Sequence, residues 1–128
     1  MGEKIKSFED LKVYQKLCDL HVKIHNESLK FPKFELYELG SQIRRSSNSA
    51  PANLAEGWNN KHTNIYLEGI SRSLGELQET KHHLNIAYRK KYLSNERYNS
   101  FRTGYDECEK MLRGLEYSLL KWQDSKRS

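Results

Sequence analysis

Eight apolar or aromatic residues near the C-terminus follow one another at alternating intervals of three and four: Tyr98, Phe101, Tyr105, Cys108, Leu112, Leu115, Leu119 and Trp122. An α-helix, with roughly 3.6 residues per turn, gathers such positions onto one side. A seam this long needs partner helices along its length. Ser94 stands where an N-cap hydroxyl would accept from an early backbone N–H, so the spacing predicts a helix over about 95–124. Asp124 to Ser128 reads as a frayed tail.

A second seam has the same rhythm, in Leu67, Ile70, Leu74, Leu77, Lys81, Leu84 and Tyr88, and predicts a helix over about 63–91 capped by Thr63 or Asn64. Lys81 is its one polar member, either snorkelling to water or facing a pore or partner. An earlier stripe of Leu11, Tyr14, Leu17, Cys18, His21, Ile24 and His25 predicts a helix over about 8–30. It opens on the capping-box pattern Ser7-Phe8-Glu9-Asp10 and is stopped by Pro32. Leu36, Leu39, Ile43, Ala50, Leu54 and Trp58 predict the remaining helix, over about 35–59. Pro51 lies inside it and removes a backbone donor, so this helix is expected to kink, with nearby serine hydroxyls satisfying the freed backbone. A loop is the alternative there.

Four long helices joined by short connections make sequential neighbours antiparallel. The expected fold is therefore all-α, an antiparallel up-down-up-down four-helix bundle, with residues 1–128 forming a single domain. Apolar residues make up 36% and charged residues 30%, which suits helices that each bury one stripe. No apolar run approaches the ~20 residues that span a bilayer. The first nine residues lack the apolar core of a secretory signal, so the expected location is the cytoplasm. Cys18 and Cys108 are not paired as metal ligands and read as small buried hydrophobes rather than a disulfide.

A search for chemistry finds little. His21 and His25 have the i, i+4 spacing of a metal pair, but Val22, Lys23 and Ile24 between them leave nothing like an HExxH motif. Glu79 and His82 match the ExxH spacing of di-iron bundles, but a second copy is missing. There is no phosphate loop and no nucleophile elbow. The expectation is a protein that binds rather than catalyses, with no metal and no cofactor. The net charge of +5 is spread over helix faces, with no basic tail. Its densest cluster is Arg89, Lys90 and Lys91, followed closely by Arg97 and interleaved with Tyr88, Tyr92 and Tyr98. Cations and aromatic rings together can neutralise phosphates and stack bases. Equally, cations at a helix C-terminus complement its dipole while tyrosines pack the loop. Arg44, Arg45 and Arg72 complete the set of candidate nucleic-acid contacts.

The run Ser41-Gln42-Ile43-Arg44-Arg45-Ser46-Ser47-Asn48-Ser49-Ala50-Pro51-Ala52-Asn53-Leu54-Ala55-Glu56-Gly57 closely resembles the segment that marks the 23S rRNA intervening-sequence proteins. The opening Phe8 to Lys16, and Tyr66-Leu67 with Ser71 to Leu77, are similar to that family's first and third helices. Ser46 and Ser47 stand where relatives often carry alanine, and Ala50 where they often carry a larger hydrophobic residue. The resemblance implies a four-helix bundle without catalytic residues. It also implies kinship in fold with the accessory variability determinant protein of diversity-generating retroelements, a basic partner of a reverse transcriptase and its RNA template. Both groups are associated with homopentameric rings, and five copies of +5 would carry about +25. Arg45, Glu56, Trp58 and Glu76 are candidate subunit contacts, and Arg44 and Arg45, which stand where the family shows its basic pair, divide between subunit contact and nucleic acid. The expected function is an oligomeric, non-enzymatic RNA- or DNA-binding accessory protein. The alternative is a protein-interaction scaffold on the ribosome or another partner.

Overall fold

The structure is a computed structural model that describes residues 4–127. Four helices form: α1, Lys12–Ser28; α2, Leu39–Gly57; α3, Thr63–Arg89; and α4, Asn95–Arg127. Short 3-10 turns, Phe8–Asp10 and Lys33–Glu35, precede α1 and α2. Each helix packs on its two neighbours, with α1 closing against α4. This is an antiparallel four-helix bundle.

The seams of α3 and α4 fill the core as expected. Ile70, Leu74, Leu77 and Leu84 meet Phe101, Tyr105, Cys108 and Leu112 there. Lys81 neither snorkels nor awaits a partner. Its ammonium bonds Asp106 at 2.5 Å and Glu109 at 2.9 Å, both on α4. Burial favours the neutral amine, but those two carboxylates outweigh it and raise the Lys81 pKa. In α1 the buried seam is Val13, Leu17, Leu20 and Ile24, rotated from the expected stripe. Tyr14 and Cys18 are only half-buried and His25 is exposed. The expected seam of α4 also outruns its partners. Leu115 and Leu119 are half-buried and Trp122 is 51% exposed, since α1 begins only at Lys12, alongside the middle of α4.

Several boundaries move for physical reasons. Ser7 does form a capping box, its hydroxyl accepting from Glu9 N while the Asp10 carboxylate accepts from Ser7 N. It caps a single 3-10 turn, because Leu11 then turns extended at ψ 125° before α1 starts. Thr63 and Asn64 do not cap α3, whose N-cap is His62. Asn64 instead accepts from Gln123 Nε2 at 2.9 Å, tying the start of α3 to the end of α4. α3 stops at Arg89 because Lys91 takes a left-handed φ of 66°, and Tyr92 N then folds back onto Ala87 O at 2.9 Å. Ser94 caps α4 as expected, accepting from Arg97 N at 3.1 Å. α4 stays helical to Arg127 rather than fraying at Asp124, and Ser128 lies outside the described residues. Pro51 sits buried within one continuous helix, so the loop alternative falls away. The serine hydroxyls of α2 do not reach the carbonyl that Pro51 frees. Ser46 donates to Ile43 O and Ser47 to Arg44 O.

Polar groups in the core are few. The Thr80 hydroxyl donates to Ser46 Oγ at 2.8 Å across α2 and α3. His21 Nδ1 lies 2.7 Å from Ser47 Oγ, and burial, with His25 nearby, lowers its pKa. Cys18 and Cys108 are free thiols, and burial pushes Cys108 up to about 12. The Tyr105 hydroxyl is buried with no hydrogen-bond partner among the described residues. A buried, unsatisfied hydroxyl costs stability. Tyr105→Phe should therefore leave stability unchanged or raise it by up to about 1 kcal/mol in a thermal melt. A loss larger than that would mean that the hydroxyl is satisfied.

Candidate nucleic-acid interface

The α1–α2 and α3–α4 connections lie at the same end of the bundle, and one carboxylate joins them. Pro32 opens the Lys33–Glu35 turn, with Glu35 N donating to Pro32 O at 2.8 Å. That turn aims Glu35 inward, where it is 1% exposed. Its carboxylate accepts from Lys90 Nζ and Tyr92 OH, both at 2.8 Å, and from Leu39 N at 3.4 Å. Lys90 holds the carboxyl below its ordinary pKa, against the opposing pull of burial, and Tyr92 and the Leu39 N–H add to the lowering. Phe31 packs on Tyr92 with ring centres 5.2 Å apart.

The other two tyrosines of the cluster are committed to each other. Tyr88 and Tyr98 stack with centres 4.4 Å apart at 11°. The Tyr88 hydroxyl donates to Asn95, and Arg102 Nη1 donates to Tyr98 OH at 2.7 Å. Loop packing thus describes these rings better than base stacking. Arg97 is likewise engaged, its Nε 3.2 Å from Glu27 of α1. Arg89 and Lys91 remain. Both are exposed, without an ion-pair partner among the described residues, and they border a cavity of about 430 Å³ with Tyr88, Leu93 and Asn95.

The structure thus gathers Arg89, Lys90, Lys91 and Arg97 at one end and leaves the other candidates elsewhere. Arg44 donates to Ser28 Oγ at 2.9 Å and Leu36 O at 2.7 Å, stapling α1 to the approach of α2. Arg45 pairs with Glu76 at 3.3 Å and with Glu79, so this cluster links α2 to α3 within one chain. Burial raises the Glu79 pKa, but Arg45 and His83 outweigh it and hold it low. His83 rather than His82 meets Glu79, at 3.2 Å, the i, i+4 neighbour on a helix. Arg72 pairs with Glu68 at 2.6 Å, nearer the start of α3. Glu56 is exposed, bordering a shallow cleft of about 250 Å³ shared with Arg72, while Trp58 is half-buried against the core.

Two exposed rings beside Glu35 were not among the sequence candidates: Phe34, 67% exposed, and Tyr37, 86% exposed. Their signal was present, two aromatics three residues apart just after a proline. Among the described residues no three His, Cys, Asp or Glu side chains gather as a metal site, and no helix is long and apolar enough to cross a membrane.

The model of the 23S rRNA-intervening sequence protein family matches residues 9–114, a span that takes in α1 to α3, most of α4 and both connections of this end. The chain belongs to that family. Among solved structures, this 23S rRNA-intervening sequence protein is similar to a protein of unknown function from the S23 ribosomal protein family of Bacteroides thetaiotaomicron. The two share 27% identity and a TM-score of 0.71, over 81% of this chain and 97% of that one. No curated protein matches the chain.

Proposed function

We propose that this family member is a non-enzymatic, oligomeric RNA-binding accessory protein and that RNA meets the end of the bundle formed by its two joined connections. The observation that carries this reading is the pair Arg89 and Lys91, exposed cations left unpaired where most neighbouring charges are matched inside the chain. Unpaired surface cations are the groups that can release counterions from a phosphate backbone at little internal cost. Assembly would sum this charge over several copies.

The test is titration of a labelled structured RNA at two salt concentrations, on protein whose mass is measured by light scattering. Wild-type affinity is expected to fall steeply with salt. Arg89→Gln with Lys91→Gln should weaken binding by about tenfold or more and flatten the salt slope by roughly two. Lys90 is left alone, because its loss would also disturb Glu35. An unchanged slope would remove these two residues from the interface.

A second reading, a protein-interaction scaffold, is favoured by the far end of the bundle. There α4 runs on beyond α1 and carries Tyr117, Leu120 and Trp122 exposed, with Ile65 of α3 also exposed. An intact oligomer that binds no RNA at low salt would shift the balance to this reading.

A further inference from the structure

We propose that Phe34 and Tyr37 form a stacking platform for unpaired nucleotides, which makes single-stranded segments the preferred RNA substrate of this end of the bundle. The inference rests on the RNA-binding reading and adds to it which form of RNA is bound. It starts from an anomaly of burial. A Phe 67% exposed and a Tyr 86% exposed forgo most of the burial that the core rings Phe31, Tyr66, Phe101 and Tyr105 gain.

Their placement is specific. The segment is held by tight i→i+3 bonds, Leu36 N donating to Lys33 O and Glu38 N to Glu35 O, each at 3.1 Å. Phe34 and Tyr37, three residues apart on these tight turns, are both left outside while Glu35 between them is buried. Neither ring packs on another ring or under a cation among the described residues, which leaves their faces open.

The support beneath the rings is rigid. Glu35 is held by Lys90 and Tyr92, and the Leu36 carbonyl accepts from Arg44 at 2.7 Å. A ring on a fixed turn loses little freedom when a base stacks on it. Charge matches the same ligand. Lys30 and Lys33 lie exposed on either side of Pro32, and Lys91 follows the lysine that anchors Glu35. The Glu35 charge is buried and paired, which leaves Glu38 as the exposed carboxylate of the turn. Rings flanked by cations suit a strand whose bases are splayed out and whose phosphates track the basic groups. A duplex hides its base faces inside the helix and offers the rings nothing to stack on.

The test compares an unstructured RNA of about twelve nucleotides with a blunt duplex of the same composition, by fluorescence anisotropy at two salt concentrations. Phe34→Leu with Tyr37→Leu keeps apolar area and removes both rings at exposed positions. Circular dichroism is expected to give the wild-type helicity and melting curve. This variant should bind the single strand at least about tenfold more weakly, with duplex affinity and the salt slope unchanged. Single-strand binding equal to wild type would overturn the proposal. Equal losses on both RNAs would overturn it too, since stacking distinguishes them. Failure of the wild-type protein to bind either RNA at low salt would instead overturn the RNA-binding reading beneath it.

Discussion

Gly69→Val is expected to destabilise the bundle by about 3 kcal/mol, whereas Gly75→Ala, two turns along the same helix, is expected to stabilise it by about 0.5–1 kcal/mol. The contrast comes from what a Cβ would meet. At Gly69 it would lie 3.0 Å from Asn53 O and 3.0 Å from the Gly57 Cα, both backbone atoms of α2. Gly57 returns the constraint, since its own Cβ would lie 3.0 Å from the Gly69 Cα. Backbone cannot rotate aside as a side chain can, so α2 and α3 must separate, loosening the neighbouring contacts of Leu54 and Ile70. Overpacking of this kind typically costs ~1–3 kcal/mol, and the β-branched valine recovers little through helix propensity. At Gly75 and Gly114 a Cβ would meet nothing within 4 Å, so only the backbone-entropy gain remains. Urea unfolding measures both variants. Gly69→Val within about 0.5 kcal/mol of wild type would mean that the two helices part at no cost.

This glycine contact also explains the segment by which the sequence resembled its family. Ser46, Ser47, Ala50 and Gly57 of α2 are all buried, and Ser46 meets Thr80 of α3. Small side chains there let two helices approach closely. The run that carries the family resemblance is therefore largely a packing surface, and its two arginines are committed inside the chain, Arg44 to Ser28 and Leu36, Arg45 to Glu76 and Glu79.

How far the sequence spoke for the structure follows from where each signal lies. The α3 and α4 seams were legible because period and burial agree over many turns. The α1 seam was misplaced because Tyr14 and Cys18 resemble core residues yet flank it, while Val13 and Leu20 carry the packing. The basic end was legible as a cluster, but not which cations stay free. Lys90 is neutralised by a carboxylate 55 residues away, a pairing that no local pattern encodes. For the same reason no local pattern marks Glu35 as a buried charge.

Glu35→Ala is expected to cost about 2 kcal/mol near neutral pH, the usual scale for hydrogen bonds to a buried charge. The loss leaves the Tyr92 hydroxyl and the Leu39 N–H without their acceptor and opens a void between the two connections. Lys90→Ala should cost at least as much, because it leaves the Glu35 carboxylate, 1% exposed, without its cation, whereas in Glu35→Ala the Lys90 ammonium, 46% exposed, is free to be hydrated. The pH dependence has a definite sign. Glu35 has a lower pKa in the folded protein than in the unfolded chain, mainly because Lys90 favours the carboxylate. Its contribution is therefore fully present above the ordinary glutamate pKa of about 4.3 and fades as the pH falls through the folded value. Glu35→Gln keeps the shape and removes the charge, so the stability gap between wild type and this variant should narrow below about pH 4.5. Urea midpoints measured from pH 7 down to pH 3 decide the matter. A gap that stays constant over that range would mean that the carboxylate is not what joins the two connections. Glu79 and Glu109 are also held low, by Arg45 and by Lys81 respectively, so all three carboxylates link acid sensitivity to contacts between elements. Of the three, Glu35 alone lies under the proposed RNA surface. Its acid release should therefore loosen the turn that carries Phe34 and Tyr37.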